Sequence, residues 1–257
     1  MRLFPQFLYP ALAVTLVAAA GLPAAPPPKT VTPSMQDAKY PPHEPGLEKA
    51  IRSTQVLRES GDYDFNYQML RWRGEGKCNQ KEGQSPIFDI KGDDIVLRNA
   101  FILDAPDGIH VSGHNVKIQN VYFMNICEDA ITSSGAVDLD ITGCYFYDAE
   151  DKVLQLNYGR DIEIYGNVFS RFASAVRVKD GTSGVQVRNN LFLDGKRAVF
   201  SDGKHARVDY VGENMAAAVL VFALAEDHSR IQLNGGNRFV KVKDVMLTHS
   251  GGKVSEE

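Results

Sequence analysis

A few charged residues near the middle of this 257-residue chain could do chemistry together. Asp107-Gly108-Ile109-His110, Asp129-Ala130-Ile131-Thr132, Asp151-Lys152-Val153-Leu154 and Ser174-Ala175-Val176-Arg177 follow one another at nearly constant spacing, and Glu128 precedes Asp129. Aligned on Ile109, Ile131, Val153 and Val176, they place Asp107, Asp129 and Asp151 in one column. Lys152 and Arg177 then flank the inward column on opposite sides, one turn apart. Alternation along a strand sends both outward onto one face. Carboxylates on adjacent turns repel one another unless something positive lies between them, and hard oxygen ligands of this kind suit Ca²⁺. A lysine and an arginine beside such a cation favour an anionic ligand. Each residue alone has a plainer reading. An isolated acidic pair is usually a solvated turn, an isolated lysine or arginine keeps a surface soluble, and Asp151 can simply pair with a neighbouring base. His110 and His114 read as surface residues. The gathering on one face is what points to a site.

That gathering depends on a repeat. Leu97-Arg98-Asn99-Ala100-Phe101-Ile102, Ile118-Gln119-Asn120-Val121-Tyr122-Phe123, Ile141-Thr142-Gly143-Cys144-Tyr145-Phe146, Ile164-Tyr165-Gly166-Asn167-Val168-Phe169 and Val187-Arg188-Asn189-Asn190-Leu191-Phe192 follow one template. A fixed period of about 21–23 residues indicates an array in which each unit buries its apolar edge against its neighbours. Only Asn or Gly stands at the third position, where a left-handed corner is cheapest. Ile102, Phe123, Phe146, Phe169 and Phe192 should stack inside. Ile109, Ile131, Val153, Val176 and Val199 form a second inward column. The expected fold is all-β: a right-handed, single-stranded parallel β-helix, with its repeat clearest from about Pro86 to Gly195 and a late unit at Leu233–Phe239.

The flanks read differently. Arg2, the apolar run Phe7–Ala20 and the small residues that follow form a signal-peptide pattern over residues 1–25. Export to the medium or the periplasm is therefore expected, with no membrane anchor after cleavage. Residues 26–60 read as a linker, rich in proline up to Pro45, with a short amphipathic capping helix within Glu44–Glu59. The β-helix is expected over residues 61–247, with a loop at Ala216–His228 and a tail at 248–257. The formal charge of −4 becomes −5 once Arg2 is removed, which argues against a nucleic-acid partner. A polyanion would need a local basic cluster. Of the three cysteines, Cys78, Cys127 and Cys144, two can pair after export and one is left over.

The stretch Glu82-Gly83-Gln84-Ser85-Pro86-Ile87-Phe88, then Asp107-Gly108-Ile109-His110, Cys127-Glu128-Asp129-Ala130 and Asp151-Lys152-Val153, resembles polysaccharide lyase family 3, the class III pectate lyases. The resemblance covers about Glu82 to Arg177. It implies a small secreted parallel β-helix, expected to be monomeric, that cleaves de-esterified polygalacturonate by β-elimination with Ca²⁺. It implies Asp107, Glu128 and Asp129 as calcium carboxylates, Lys152 and Arg177 as essential catalytic and substrate-binding residues, and Glu82 as a further active-site acid. Where the family has a second lysine this chain has Ser174, which would fall in the substrate-binding set. The cysteine-rich stretch after the arginine is replaced by Val178-Lys179-Asp180-Gly181.

Elimination requires removal of the uronide C5 proton. Lysine can act as a base once positive neighbours lower its pKa, whereas arginine stays charged and is better suited to clamping a carboxylate. Three other readings compete: a β-helix that binds acidic glycan without cleaving it, a hydrolase using Asp129 and Asp151, and an adhesive solenoid.

Overall fold

The computed structural model describes residues 33–35, 41–75 and 83–256. Its strands form a single parallel sheet wound into a β-solenoid of about 9 turns, as the repeat predicts. Strands pair in parallel one turn apart: Ile95–Leu103 with His114–Ile126, Val168–Val178 with Leu191–Ser201, and Leu191–Ser201 with Met215–Ala225. The signal-peptide stretch lies outside the described residues.

The corner and ladder assignments hold. Asn99, Asn120 and Asn189 turn with φ of 55°, 51° and 54°, and Gly143 and Gly166 with 62° and 65°. An L-residue with a longer side chain would be strained there, whereas asparagine and glycine are not. Each corner aims the next aromatic inward. Phe123, Phe146, Phe169 and Phe192 stack with ring centroids 4.9 Å apart and planes within 14° of parallel, which is the strand spacing carried into the core. The column then passes through Ala216 to Phe239. Phe222 fills the room left by the alanine, with its ring edge-on to Phe192 and Phe239.

Beside each corner from Asn167 onward runs a buried asparagine ladder. Asn167 Nδ2 donates to Asn190 Oδ1 at 3.0 Å, Asn190 Nδ2 to Asn214 Oδ1 at 3.1 Å, and Asn214 Nδ2 to Asn237 Oδ1 at 3.1 Å. The same amides also bond to backbone, so each buried group is satisfied. Cys144 holds this ladder position one turn earlier, its amide donating to Asn167 Oδ1 at 2.9 Å. It is the free, buried cysteine, while Cys127 is disulfide-bonded.

Three expectations fail. The Glu44–Glu59 stretch is not a helix. Glu48–Ile51 and Gln55–Leu57 are strands, paired with Gly61–Trp72 and Pro86–Ile90. The near-helical spacing of Leu47, Ala50, Ile51 and Leu57 is overridden because adjacent turns offer backbone partners that an isolated helix lacks. Most of the expected loop Ala216–His228 lies in the strand Met215–Ala225. In the expected tail, Lys253–Glu256 adds a strand to Arg230–Leu233.

Candidate active site

The register differs from the sequence alignment at one turn, and the site changes with it. Phe172 pairs with Ala149, but two residues later Ser174 pairs with Lys152. The turn carrying Glu150 and Asp151 therefore holds one extra residue, a β-bulge. The extra residue moves the inward position from Val153 to Leu154, which pairs with Ile131 and Val176. Asp151 thereby leaves the aspartate column, and Lys152 takes the place expected for it.

The outer face accordingly carries two columns, three residues apart. One runs Asp107, Asp129, Lys152, Ser174, Arg197. The other runs His110, Thr132, Gln155, Arg177, Phe200. Members of the two columns meet. The His110 ring nitrogen Nε2 lies 3.0 Å from Asp107 Oδ2, and the Thr132 hydroxyl donates to Asp129 Oδ2 at 3.0 Å. The turn that delivers Glu128 and Asp129 is pinned by the Cys127 disulfide before it and by the Asp129 amide, which donates to Asp107 Oδ1 at 3.2 Å.

Asp107, Glu128, Asp129 and Lys152 are each at least 96% buried, unusual for charged groups. Lys152 Nζ bonds Asp151 and stands 3.7 Å from Asp129 Oδ1. Burial pushes the Asp129 carboxyl up to about 8. Lys152 pulls it back, and the charges of Asp107 and Glu128 push it further up. Arg177 is held by Asp202, with Nε donating at 3.0 Å. A groove on the acidic side of the site is lined by Gly83, Asp107, His110, Glu128, Asp129, Thr132, Ser134, Gln155 and Asn157. Three buried polar atoms along it, Asp129 Oδ1, Gln155 Oε1 and Asn157 Oδ1, make no hydrogen bond. Such atoms are rare in native interiors and mark a surface built to receive polar groups.

The structure thus brings Asp107, Glu128, Asp129 and Lys152 together, and sets Arg177 in the neighbouring column, paired with Gln155 rather than beside Lys152. Ser174 is in the Lys152 column but wholly buried. Glu82 lies outside the described residues. His110, read as a surface residue, is bonded into the site. Its spacing of three from Asp107, repeated by Thr132 after Asp129, was the available signal. Gln155, Asn157 and Asp202 were missed because neutral amides and a carboxylate 25 residues from its arginine carry no local pattern.

The carboxylate set suits a hard divalent cation in donor type, and such an ion would offset the burial and, after it, the charges of Asp107 and Glu128 that raise Asp129. The three carboxylates do not form a ready-made cage. Among the described residues, no group of three or more His, Cys, Asp or Glu side chains stands close enough to hold a metal ion.

A parallel β-solenoid whose outer face carries buried carboxylates on one side and lysine and arginine on the next turns is the class of molecule that the fold and site define. The chain belongs to the pectate lyase family, whose pattern matches residues 39–218. A relative from Neosartorya fischeri described as "Probable pectate lyase E" is 34% identical over 152 residues, 56% of this chain and 57% of the relative. One of the same description from Aspergillus clavatus is 31% identical over 153 residues, 58% of each chain. "Pectate lyase E" of Emericella nidulans is 32% identical over 152 residues, 56% of this chain and 57% of the relative. The match therefore spans a little under three fifths of these relatives.

Proposed function

We propose that this protein is a secreted, calcium-dependent pectate lyase that cleaves polygalacturonate by β-elimination. The observation that carries the reading is Lys152, a buried lysine between Asp129 and Asp151, at the point where the outer column passes from acidic to basic. The family membership and the relatives' names favour the same reaction.

In that reaction a base takes the C5 proton beside the uronate carboxylate, the C4–O bond breaks, a C4=C5 double bond forms, and the leaving oxygen acquires a proton. Asp107, Glu128 and Asp129, which form no ready-made cage, would have to draw together to hold Ca²⁺. Bound there, the ion would supply charge to the substrate carboxylate and ease loss of the C5 proton. Lys152 is the base. Its burial excludes competing water, and Asp151 and Asp129 hold its Nζ in place. Arg177, oriented by Asp202 and permanently charged, binds a substrate carboxylate. His110 and Thr132 orient Asp107 and Asp129. A lysine base implies an alkaline optimum.

Secretion rests on the N-terminal pattern. Among the described residues, no helix is long and apolar enough to cross a membrane. The test is ultraviolet absorbance of unsaturated uronide product from polygalacturonate, with and without chelator. Product that forms only with Ca²⁺ supports the reading, and absence of product in both conditions overturns it. A second reading, a protein that binds acidic glycan without turnover, draws on Ser174, whose buried hydroxyl supplies no charge where the resemblance leads one to expect lysine. Polysaccharide binding without product would favour it.

A further inference from the structure

The column that brings Lys152 into the groove continues past Ser174. Ser174 pairs with Arg197 on the next turn, and Arg177 pairs with Phe200. Arg197 and Phe200 are three residues apart, the spacing at which Asp107 meets His110 and Asp129 meets Thr132 on the same face. They also touch, with Arg197 Cζ 4.3 Å from the Phe200 ring centroid. Arg177 Cζ lies 5.6 Å from the same ring. Two guanidinium groups therefore share one aromatic ring at the basic end of the outer columns. Their electrostatic situations differ. Arg177 is paired with Asp202. Arg197 is half-buried, its Nε is buried without a hydrogen-bond partner, and it lies over the phenyl face, which orients a guanidinium without neutralising it.

We infer that Arg197 binds a carboxylate of the substrate, so that the cation absent at Ser174 is supplied from one turn further along the same column. This rests on the reading of the groove as a uronan site. A guanidinium held over the Phe200 ring, with no carboxylate of its own, can offer its donors to a planar carboxylate. The ligand class is an anionic polysaccharide engaged through a uronate next to the reacting sugar, and Arg197 acts in affinity rather than in proton transfer.

The test uses Arg197→Met, which keeps the stem packed on Phe200, together with Arg197→Lys. Arg160→Met serves as control, at an arginine whose side chain is 65% exposed in a different strand column. Near-ultraviolet circular dichroism checks folding. KM and kcat are measured on polygalacturonate with Ca²⁺. Mobility is measured by electrophoresis through gels carrying polygalacturonate, with and without Ca²⁺, so that binding is read without turnover. Loss of one charge-assisted hydrogen bond should raise KM about tenfold in Arg197→Met. Its kcat should change less than about twofold, and its retardation in the gel should be lost. Arg197→Lys should fall between it and the wild type, and the control should match the wild type. A folded Arg197→Met with wild-type KM and wild-type mobility overturns the inference. If the wild type is retarded but forms no product, the lyase reading falls, and the role of Arg197 stands or falls on mobility alone. A wild type retarded under neither condition overturns both.

Discussion

The inside and the outside of the same turns follow opposite rules. Inward, Phe123, Phe146, Phe169 and Phe192 repeat one residue at one spacing, and Asn167, Asn190, Asn214 and Asn237 repeat another. Outward, the column three residues before the one holding His110 and Arg177 changes at almost every turn: Asp107, Asp129, Lys152, Ser174, Arg197. Repetition pays inside because each turn meets a copy of itself, and identical rings or amides stack without a gap. Repetition outside would stack like charges. The column is graded instead, acidic at one end and basic at the other, with Lys152 where the signs meet, and the proposed function draws on that grading.

The largest expected effect lies on the graded face. Lys152→Ala should lower kcat by about a hundred- to ten-thousand-fold, read by the ultraviolet product assay. It should also erase the acid-side fall of the pH profile in any residual rate. Wild-type activity in this variant would remove Lys152 from the chemistry.

Next is the repeating face. Phe169→Ala should cost about 3–5 kcal/mol of stability by denaturant titration. Both neighbours lose a stacked ring, and the gap cannot close without shifting two turns. A cost near that of an exposed substitution would show that the stack contributes little. Asn190→Ala should cost about 1–3 kcal/mol, because it leaves the Asn167 amide without its acceptor and exposes backbone groups to an apolar neighbour.

The smallest effect sets the two rules against each other at Asp129. Its folded value of about 8 stands above the usual value of about 3.9 for an unfolded aspartate. Between these limits the folded chain keeps a proton that the unfolded chain has lost. The associated stability is complete below about pH 4 and drains away as pH rises toward 8. In chelator, Asp129→Asn should therefore melt higher than the wild type, by a margin that grows from pH 4 to 8 and then levels off. A margin independent of pH would mean that Asp129 is not strained by burial. Added Ca²⁺ should narrow the gap by stabilising only the wild type.

Much of this was legible in the chain. The Asn/Gly corners and the aromatic positions announce the solenoid because the backbone and the core impose the same demand on every turn. The candidate residues Asp107, Glu128, Asp129, Lys152 and Arg177 were legible by type. The edges were less so. At Glu48–Leu57 a weak helical spacing yielded to strands because the neighbouring turns supplied hydrogen-bond partners, which no local pattern reveals.

Sequence alone therefore determined the period, the corners, the interior columns and the kinds of group on the outer face, since each is written in residue type at constant spacing. Tertiary structure alone decided which of those groups are neighbours. One extra residue at Glu150-Asp151 shifts the register by a single place, and a one-residue shift exchanges inward for outward. That shift set Lys152 in line with Asp129 and moved Asp151 aside. Arg197 follows Ser174 by the ordinary period, but only the folded chain shows its guanidinium over the Phe200 ring.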